Sequence, residues 1–145
     1  MLLTHKTKKI IEQQVRQHKL RLTMINDIRE SMINSASGDL NNYIKISGTN
    51  SEKQLNVVCK IEKNIKLNEL LVWEKIINVV LYLYKKIDLE KYNYICSYYI
   101  VKNPKSAERT YMETGISRTR QFEMRNEFLL DLALMASKYN LIDFI

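Results

Sequence analysis

The chain has 145 residues, of which 46% are hydrophobic and 27% are charged. This composition is typical of a soluble globular domain that buries a core without disulfide support, and it argues against a disordered or fibrous chain. Only three glycines and one proline occur. The glycines lie too far apart for a phosphate-binding loop or a dinucleotide fingerprint, and so few turn residues disfavour sandwiches and barrels. We therefore expect an all-α fold of five or six helices.

The charge balance favours an anionic partner. Lys and Arg total 23 against 16 Asp and Glu, a formal charge of +7, which indicates nucleic acid more often than an anionic membrane. Cys59 and Cys96 lie in apolar helical patterns and do not form a disulfide framework. The N-terminus lacks the apolar segment of a signal peptide, and the apolar stretch 70–84 is too short and too polar to span a bilayer. We expect a cytoplasmic protein with no membrane partner.

The first predicted element is a basic amphipathic helix over residues 4–33. Residues 1–30 carry seven basic and three acidic side chains. These basic side chains either touch DNA phosphate or form a solvated face. A seam with alternating spacings of four and three, typical of helix pairing, runs along the helix. Its members are Ile11, Val15, His18, Leu22, Ile25, Arg29 and Met32. Packing within its own domain, pairing within the chain and pairing in a homodimer all remain open.

A polar linker is predicted over residues 34–50, because Ser, Asn, Asp and Gly compete with helix formation. A second helix follows near Ser51, where either Ser51–Gln54 or Thr49–Glu52 fits a capping box. Residues 67–69 mark a kink or a new start. Residues 70–84 are apolar nearly all round, so they must be enclosed by their own domain or by a partner. We thus divide the chain into residues 1–50, helix plus linker, and residues 51–145, a helical core.

The next helices have recognisable starts. Asp88 suits the N-cap of a helix over residues 89–100. Asn103 suits the N-cap of a further helix, with Pro104 at the first position, where its missing N–H costs nothing. That helix is expected to end at Thr114.

A three-residue turn then leads into the last helix, residues 118–138. Gly115 can adopt the left-handed conformation that ends the preceding helix. Ile116 is expected to lie under the turn and fix the angle between the helices. Ser117 can cap the last helix, whose first amides can also meet a phosphate. This layout, within residues 88–138, is that of a helix-turn-helix with its reading helix last.

The start of the last helix carries side chains suited to a DNA groove. Arginine pairs bidentately with guanine, glutamine pairs with adenine, and threonine contacts phosphate or a thymine methyl group. Ordinary surface arginines are the alternative interpretation. The side chains expected to contact DNA are Lys105, Arg109, Ser117, Arg118, Thr119, Arg120, Gln121 and Arg125. Those expected to pack inward are Phe122, Leu129, Ala133 and Ala136.

The residues around this turn resemble those of a known protein family. Residues 98–100 (Tyr-Tyr-Ile), 102–103 (Lys-Asn), 115–120 (Gly-Ile-Ser-Arg-Thr-Arg) and a helix containing Phe122 resemble the C-terminal helix-turn-helix of RinA/ArpU-type phage transcriptional activators. That motif is similar in turn to region 4 of bacterial sigma factors. The resemblance implies an activator of late packaging and lysis genes in phages or prophages of low-GC Gram-positive hosts. Such an activator would contact RNA polymerase.

Other function classes find little support. His5 and His18 stand thirteen residues apart with no Cys or carboxylate cluster beside them, so no metal site is expected. No local signature of a Ser/His or Cys/His nucleophile appears, so we expect neither an enzyme nor a cofactor. One alternative stays open: a helical adaptor that binds RNA polymerase or a phage assembly factor and carries a vestigial helix-turn-helix. Strong salt dependence of duplex binding would distinguish an activator from this adaptor.

Overall fold

A computed structural model describes residues 3–45 and 50–142. Within these ranges the chain forms six α-helices and no strand, which confirms the predicted all-α fold. The helices are α1 (His5–Arg16), α2 (His18–Lys45), α3 (Asn50–Ile87), α4 (Leu89–Ile95, continued by a π-helical turn, Cys96–Ile100), α5 (Ala107–Thr114) and α6 (Arg118–Lys138). None of the helices described combines the length and the apolarity needed to cross a bilayer.

The chain divides into two compact units. The first unit comprises Met1–Lys19 and Trp73–Ile145, and the second comprises Leu20–Val72. The predicted boundary after residue 50 does not coincide with this division, because α3 contributes residues to both units. All the residues predicted to contact DNA belong to the first unit.

The N-terminal region differs from its prediction as a single helix over residues 4–33. The chain leaves the helical conformation at Gln17 (φ −83°, ψ 2°), whose N–H still donates to the carbonyl of Gln13. Two helices therefore replace one. The first of them buries Ile11 and Val15 completely, and its N-cap is Thr4, whose Oγ1 accepts from the N–H of Thr7 at 3.2 Å.

The prediction of a polar linker over residues 34–50 is wrong for most of that range, since α2 continues to Lys45. Helix propensity is a weak guide here, because even Gly38 costs only about 1 kcal/mol in a helix interior. A helix that has already nucleated gains one hydrogen bond for each residue added. Residues 46–49 and the side chains of the two proposed capping boxes lie outside the described residues. No break occurs at residues 67–69, because α3 runs through them.

The core of the first unit is built from four helices and the π-helical turn. From the apolar stretch 70–84, Trp73, Ile76, Ile77 and Val80 are buried within the chain, whereas Leu83 is exposed. Further buried apolar side chains of this unit are Ile11, Val15, Leu81, Tyr94, Ile95, Tyr99, Ile116, Met124, Phe128, Leu129, Leu132, Ala133 and Ala136. The longest buried row lies on α6, which makes this helix the main support of the unit.

Aromatic rings join the helices around α6. The Phe128 ring centroid lies 5.9 Å from that of Tyr84 and 5.8 Å from that of Tyr99. The Tyr99 hydroxyl donates to Glu12 Oε1 at 3.0 Å, which ties α1 to the π-helical turn. Asp88 caps α4 as predicted, since its Oδ1 accepts from the N–H of Lys91 at 3.2 Å.

The raised pKa values of Tyr84 and Tyr99 predict that the protein loses stability at alkaline pH. Burial, followed by the Asp131 carboxylate, raises the pKa of Tyr84 above its usual 10.0. Burial, followed by Glu12, does the same to the pKa of Tyr99. Above about pH 10 the unfolded chain loses phenol protons that the folded chain keeps, so the free energy of unfolding falls as pH rises.

Circular dichroism of urea unfolding between pH 8 and pH 11 measures this loss. We expect its slope against pH to shrink in Tyr99→Phe and to stay unchanged in Tyr82→Phe, whose parent side chain is 56% exposed. Equal slopes in the parent and Tyr99→Phe would contradict the assignment.

Candidate nucleic-acid interface

Helix α5, which precedes the turn of the predicted motif, begins later than expected. Its N-cap is Ser106, whose Oγ accepts from the N–H of Arg109 at 3.2 Å, so the predicted cap at Asn103 with Pro104 in the first turn is wrong. Capping from Ser106 places Glu108 in the first turn, where a carboxylate interacts favourably with the helix dipole. Residues 101–106 form an irregular segment instead.

The turn itself confirms three predictions. Gly115 has a φ of +77° and ends α5, and its N–H donates to the carbonyl of Tyr111 at 2.8 Å. Ile116 is 7% exposed and lies under the turn. Ser117 caps α6, since its Oγ accepts from the N–H of Arg120 at 3.2 Å. Glycine, an apolar residue and a capping serine thus fix the angle between the two helices.

The prediction that Gln121 contacts DNA is wrong. Its side chain is 3% exposed. Its Nε2 donates to the carbonyl of Ala107 at 3.1 Å and to that of Ile116 at 2.9 Å. Gln121 therefore joins α5, the turn and α6 from inside the motif, and its amide is not available to adenine.

The buried face of α6 is rotated relative to the prediction. Leu129, Ala133 and Ala136 are buried as predicted, but Phe122 is 56% exposed. The buried row is continued toward the N-terminus of the helix by Gln121. Because neighbouring residues of a helix are separated by about 100°, burial of Gln121 turns Phe122 outward.

The same rotation identifies a side chain that the sequence analysis missed. Thr119, Phe122 and Asn126 are spaced by three and four residues, so they share the outward face of α6. Thr119 is exposed, whereas Asn126 is half-buried. An asparagine amide can pair bidentately with adenine. In the observed register of α6, Asn126 rather than Gln121 carries the side-chain amide on the face of Thr119 and Phe122.

Arg125 is held inside the unit. Its guanidinium carbon lies 4.6 Å from the centroid of the Tyr98 ring, and its Nη1 donates to the Tyr98 hydroxyl at 2.7 Å. A DNA contact from Arg125 would require this stack to open. The structure therefore places Arg125 in the packing of α6 against the π-helical turn.

Each of the remaining predicted cations already faces a glutamate. Arg118 Nη2 lies 2.7 Å from Glu108 Oε1, and both side chains are mostly exposed. The other pairs are Arg109 with Glu113 at 3.1 Å, Lys105 with Glu113, and Arg120 with both Glu123 and Glu127 at 3.5 Å. Exposed ion pairs contribute only about 0–1 kcal/mol each, so a phosphate can displace the carboxylate at low cost.

Neighbouring cations lower the pKa values of two carboxylates of the motif. Hydrogen bonds from Lys105 and Arg109 lower the pKa of the exposed Glu113. A hydrogen bond from Lys91 lowers the pKa of Glu127.

Residues 103–138 contain six Lys and Arg against five Asp and Glu. The motif is therefore close to neutral and presents single cations rather than a broad positive field.

The motif also carries an apolar patch. Tyr111 is 55% exposed and Met112 is 85% exposed on α5. They line a shallow cleft of about 560 Å³ together with Glu108, Ser117 and Arg118. An exposed methionine and tyrosine beside the start of α6 suit contact with a protein or with the apolar edges of bases.

No family model, curated protein or solved structure matches this chain. The likeness to RinA/ArpU-type activators and to sigma region 4 stays a prediction that rests on the residues of the motif. Among the described residues, no three His, Cys, Asp or Glu side chains lie together as metal ligands would.

Proposed function

We propose that the protein is a sequence-specific double-stranded DNA-binding transcription activator whose α6 enters the major groove. Support comes mainly from one observation, the capped turn at residues 115–117. This turn exposes Arg118 and Thr119 at the N-terminus of α6, where Ser117 caps the helix. Such an end suits both a phosphate contact and base contacts from the following side chains.

The proposed biological role follows from the resemblance. We place the protein in the cytoplasm of a bacterial host, where it would activate late packaging or lysis genes of a phage or prophage by contacting RNA polymerase. It would have neither a cofactor nor an enzymatic activity. Two half-sites would raise the affinity of so small a reader, so a homodimer stays an alternative to a monomer.

Selection of bound sequences from a random duplex pool at physiological salt tests the function. A reader is expected to enrich one motif. Contact with about six phosphates should weaken its binding to that duplex roughly a thousandfold between 50 and 200 mM salt. An unenriched pool would exclude sequence-specific reading.

Two arginine variants test which side chain reads a base. If Arg118 or Arg120 reads one, its replacement by alanine should weaken binding to the selected duplex by about 1–3 kcal/mol and relax the preference at one position. Lys138→Ala, at the other end of α6, is the control for the loss of one positive charge. An enrichment profile unchanged in Arg118→Ala and in Arg120→Ala would remove both from the reading surface.

A carboxylate variant should strengthen binding. Glu108→Gln removes the partner of Arg118 and keeps the side-chain shape, so the free guanidinium meets DNA without first leaving an ion pair. Fluorescence anisotropy should show an affinity up to about fivefold higher, the equivalent of one exposed ion pair. Glu62→Gln, an exposed position of α3 in the second unit, controls for the change in net charge. Equal gains in both variants would show a general charge effect only.

A protein–protein adaptor is the second candidate, favoured by the exposed Tyr111 and Met112 and by the near-neutral motif. Such an adaptor would bind duplex weakly at both salt concentrations. Met112→Ser would then abolish capture of RNA polymerase, whereas the same variant of a DNA reader would keep its selected duplex.

A further inference from the structure

The first unit contains a cleft to which neither α5 nor α6 contributes a lining residue. Its walls come from the end of α1 and the start of α2 on one side and from residues 99–104 on the other. Its volume is about 330 Å³, which is the lower end of the range for small-ligand sites. The residues lining it are Val15, Arg16, His18, Lys19, Tyr99, Ile100, Val101, Lys102 and Pro104.

Positive charge dominates this cleft. Arg16, Lys19 and Lys102 line it, and no Asp or Glu does. In the part of the chain that the structure describes, none of these three cations lies within ion-pair distance of a carboxylate. The cations of α5 and the first turn of α6 differ, because each has a glutamate partner. Three uncompensated like charges around one cavity repel one another, and an anion between them would relieve that repulsion.

Two of the polar side chains are held in place before any ligand binds. The guanidinium carbon of Arg16 lies 5.4 Å from the centroid of the Tyr99 ring and 5.6 Å from that of Tyr98. His18 Nδ1 lies 3.0 Å from Glu74 Oε1 across the same unit. Preordered side chains lose less conformational entropy when a ligand binds.

We propose that this cleft binds a phosphate group. Arginine offers a planar pair of N–H donors and lysine offers a compact charge, and a tetrahedral phosphate with several oxygens can accept from all three cations at once. A single carboxylate offers two oxygens and one negative charge, fewer than a phosphate offers to three cations. The phosphate is either a phosphodiester of the DNA backbone or the phosphate of a small molecule. The site does not depend on the proposed reading of DNA by α6.

Titration with inorganic pyrophosphate, followed by calorimetry and by amide chemical shifts, tests the site. The parent should bind saturably, with the largest shifts at residues 15–19 and 99–104. The double variant Lys19→Gln/Lys102→Gln should bind at least about tenfold more weakly, because each lysine contributes a charged hydrogen bond. Lys6→Gln/Lys75→Gln is the matched control, since it removes two exposed positive charges away from the cleft and should bind as the parent does.

Equal weakening in both double variants, or shifts spread over all basic residues, would overturn the proposal, as would the absence of saturable binding. All four lysines are largely exposed, and equal thermal midpoints of the variants verify the fold.

A competition experiment then identifies the source of the phosphate. If the selected duplex displaces pyrophosphate and the cleft variant lowers the salt slope of duplex binding, the ligand is the DNA backbone. If duplex and pyrophosphate bind together, the ligand is a small phosphorylated molecule. Failure of all duplex binding would contradict the proposed function and leave the pyrophosphate result standing.

Discussion

Replacement of Phe128 by alanine is expected to lower the free energy of unfolding of the first unit by about 3–5 kcal/mol. Phe128 is completely buried on α6, and its ring packs against Tyr84 and Tyr99. Truncation leaves a cavity between rings that belong to two other segments, and the surroundings of such a cavity relax only partly. Equilibrium unfolding in urea, followed by circular dichroism, measures the loss.

Phe122→Ala is the matched control, because the same truncation is made six residues earlier on the same helix at a side chain that is 56% exposed. It should change the free energy of unfolding by no more than about 0.5 kcal/mol. Similar losses in the two variants would show that the register of α6 differs from the one described.

Gln121→Glu is expected to cost about 3–5 kcal/mol at neutral pH. The substitution keeps the size of the side chain but places a buried carboxylate beside the carbonyl oxygens of Ala107 and Ile116, which Gln121 Nε2 now serves as donor. Three acceptors would then face one another without a proton. The junction of α5, the turn and α6 should loosen, and duplex binding should fall together with stability.

The pH dependence gives this prediction its sharpest test. The buried carboxyl would have a pKa above its unfolded value of about 4.3, so the penalty is small below that pH and grows as pH rises through it. Gln121→Met, which lacks both the donors and the charge, should cost about 1–3 kcal/mol without this added pH dependence. Identical unfolding profiles for the two variants at pH 4 and pH 7 would contradict the buried hydrogen bonds of Gln121.

The turn was predictable because its signals are local. A glycine with positive φ and a serine at an N-cap act on their own neighbours, and Gly115 and Ser117 do so here. The start of α5 was harder, since Asn103 and Ser106 are both good caps and only the folded chain selects one. Helix propensity likewise failed for residues 34–45, where single-residue costs are small compared with helix propagation.

The face of α6 was not predictable to one residue. Either Phe122 or Gln121 fits the buried stripe of α6. Which of them is buried depends on two backbone carbonyls that other segments contribute. The ion pair of Arg118 with Glu108 joins residues ten apart through the turn, so it follows from tertiary structure alone. The π-helical turn at Cys96–Ile100 was also missed, because its hydrogen bonds differ from those of an α-helix by one residue and leave the apolar pattern intact.

If α6 reads DNA as proposed, the glutamates beside the cations of α5 and the first turn of α6 affect which DNA sites the protein binds. Once an arginine moves to DNA, its former partner stays near the phosphates and repels them. Each contact is thus an exchange, and its net gain is small unless a correctly placed base adds to it. Under the proposed function, such a surface would bind bulk genomic DNA poorly, so the protein would spend little time on the large excess of sites with the wrong sequence.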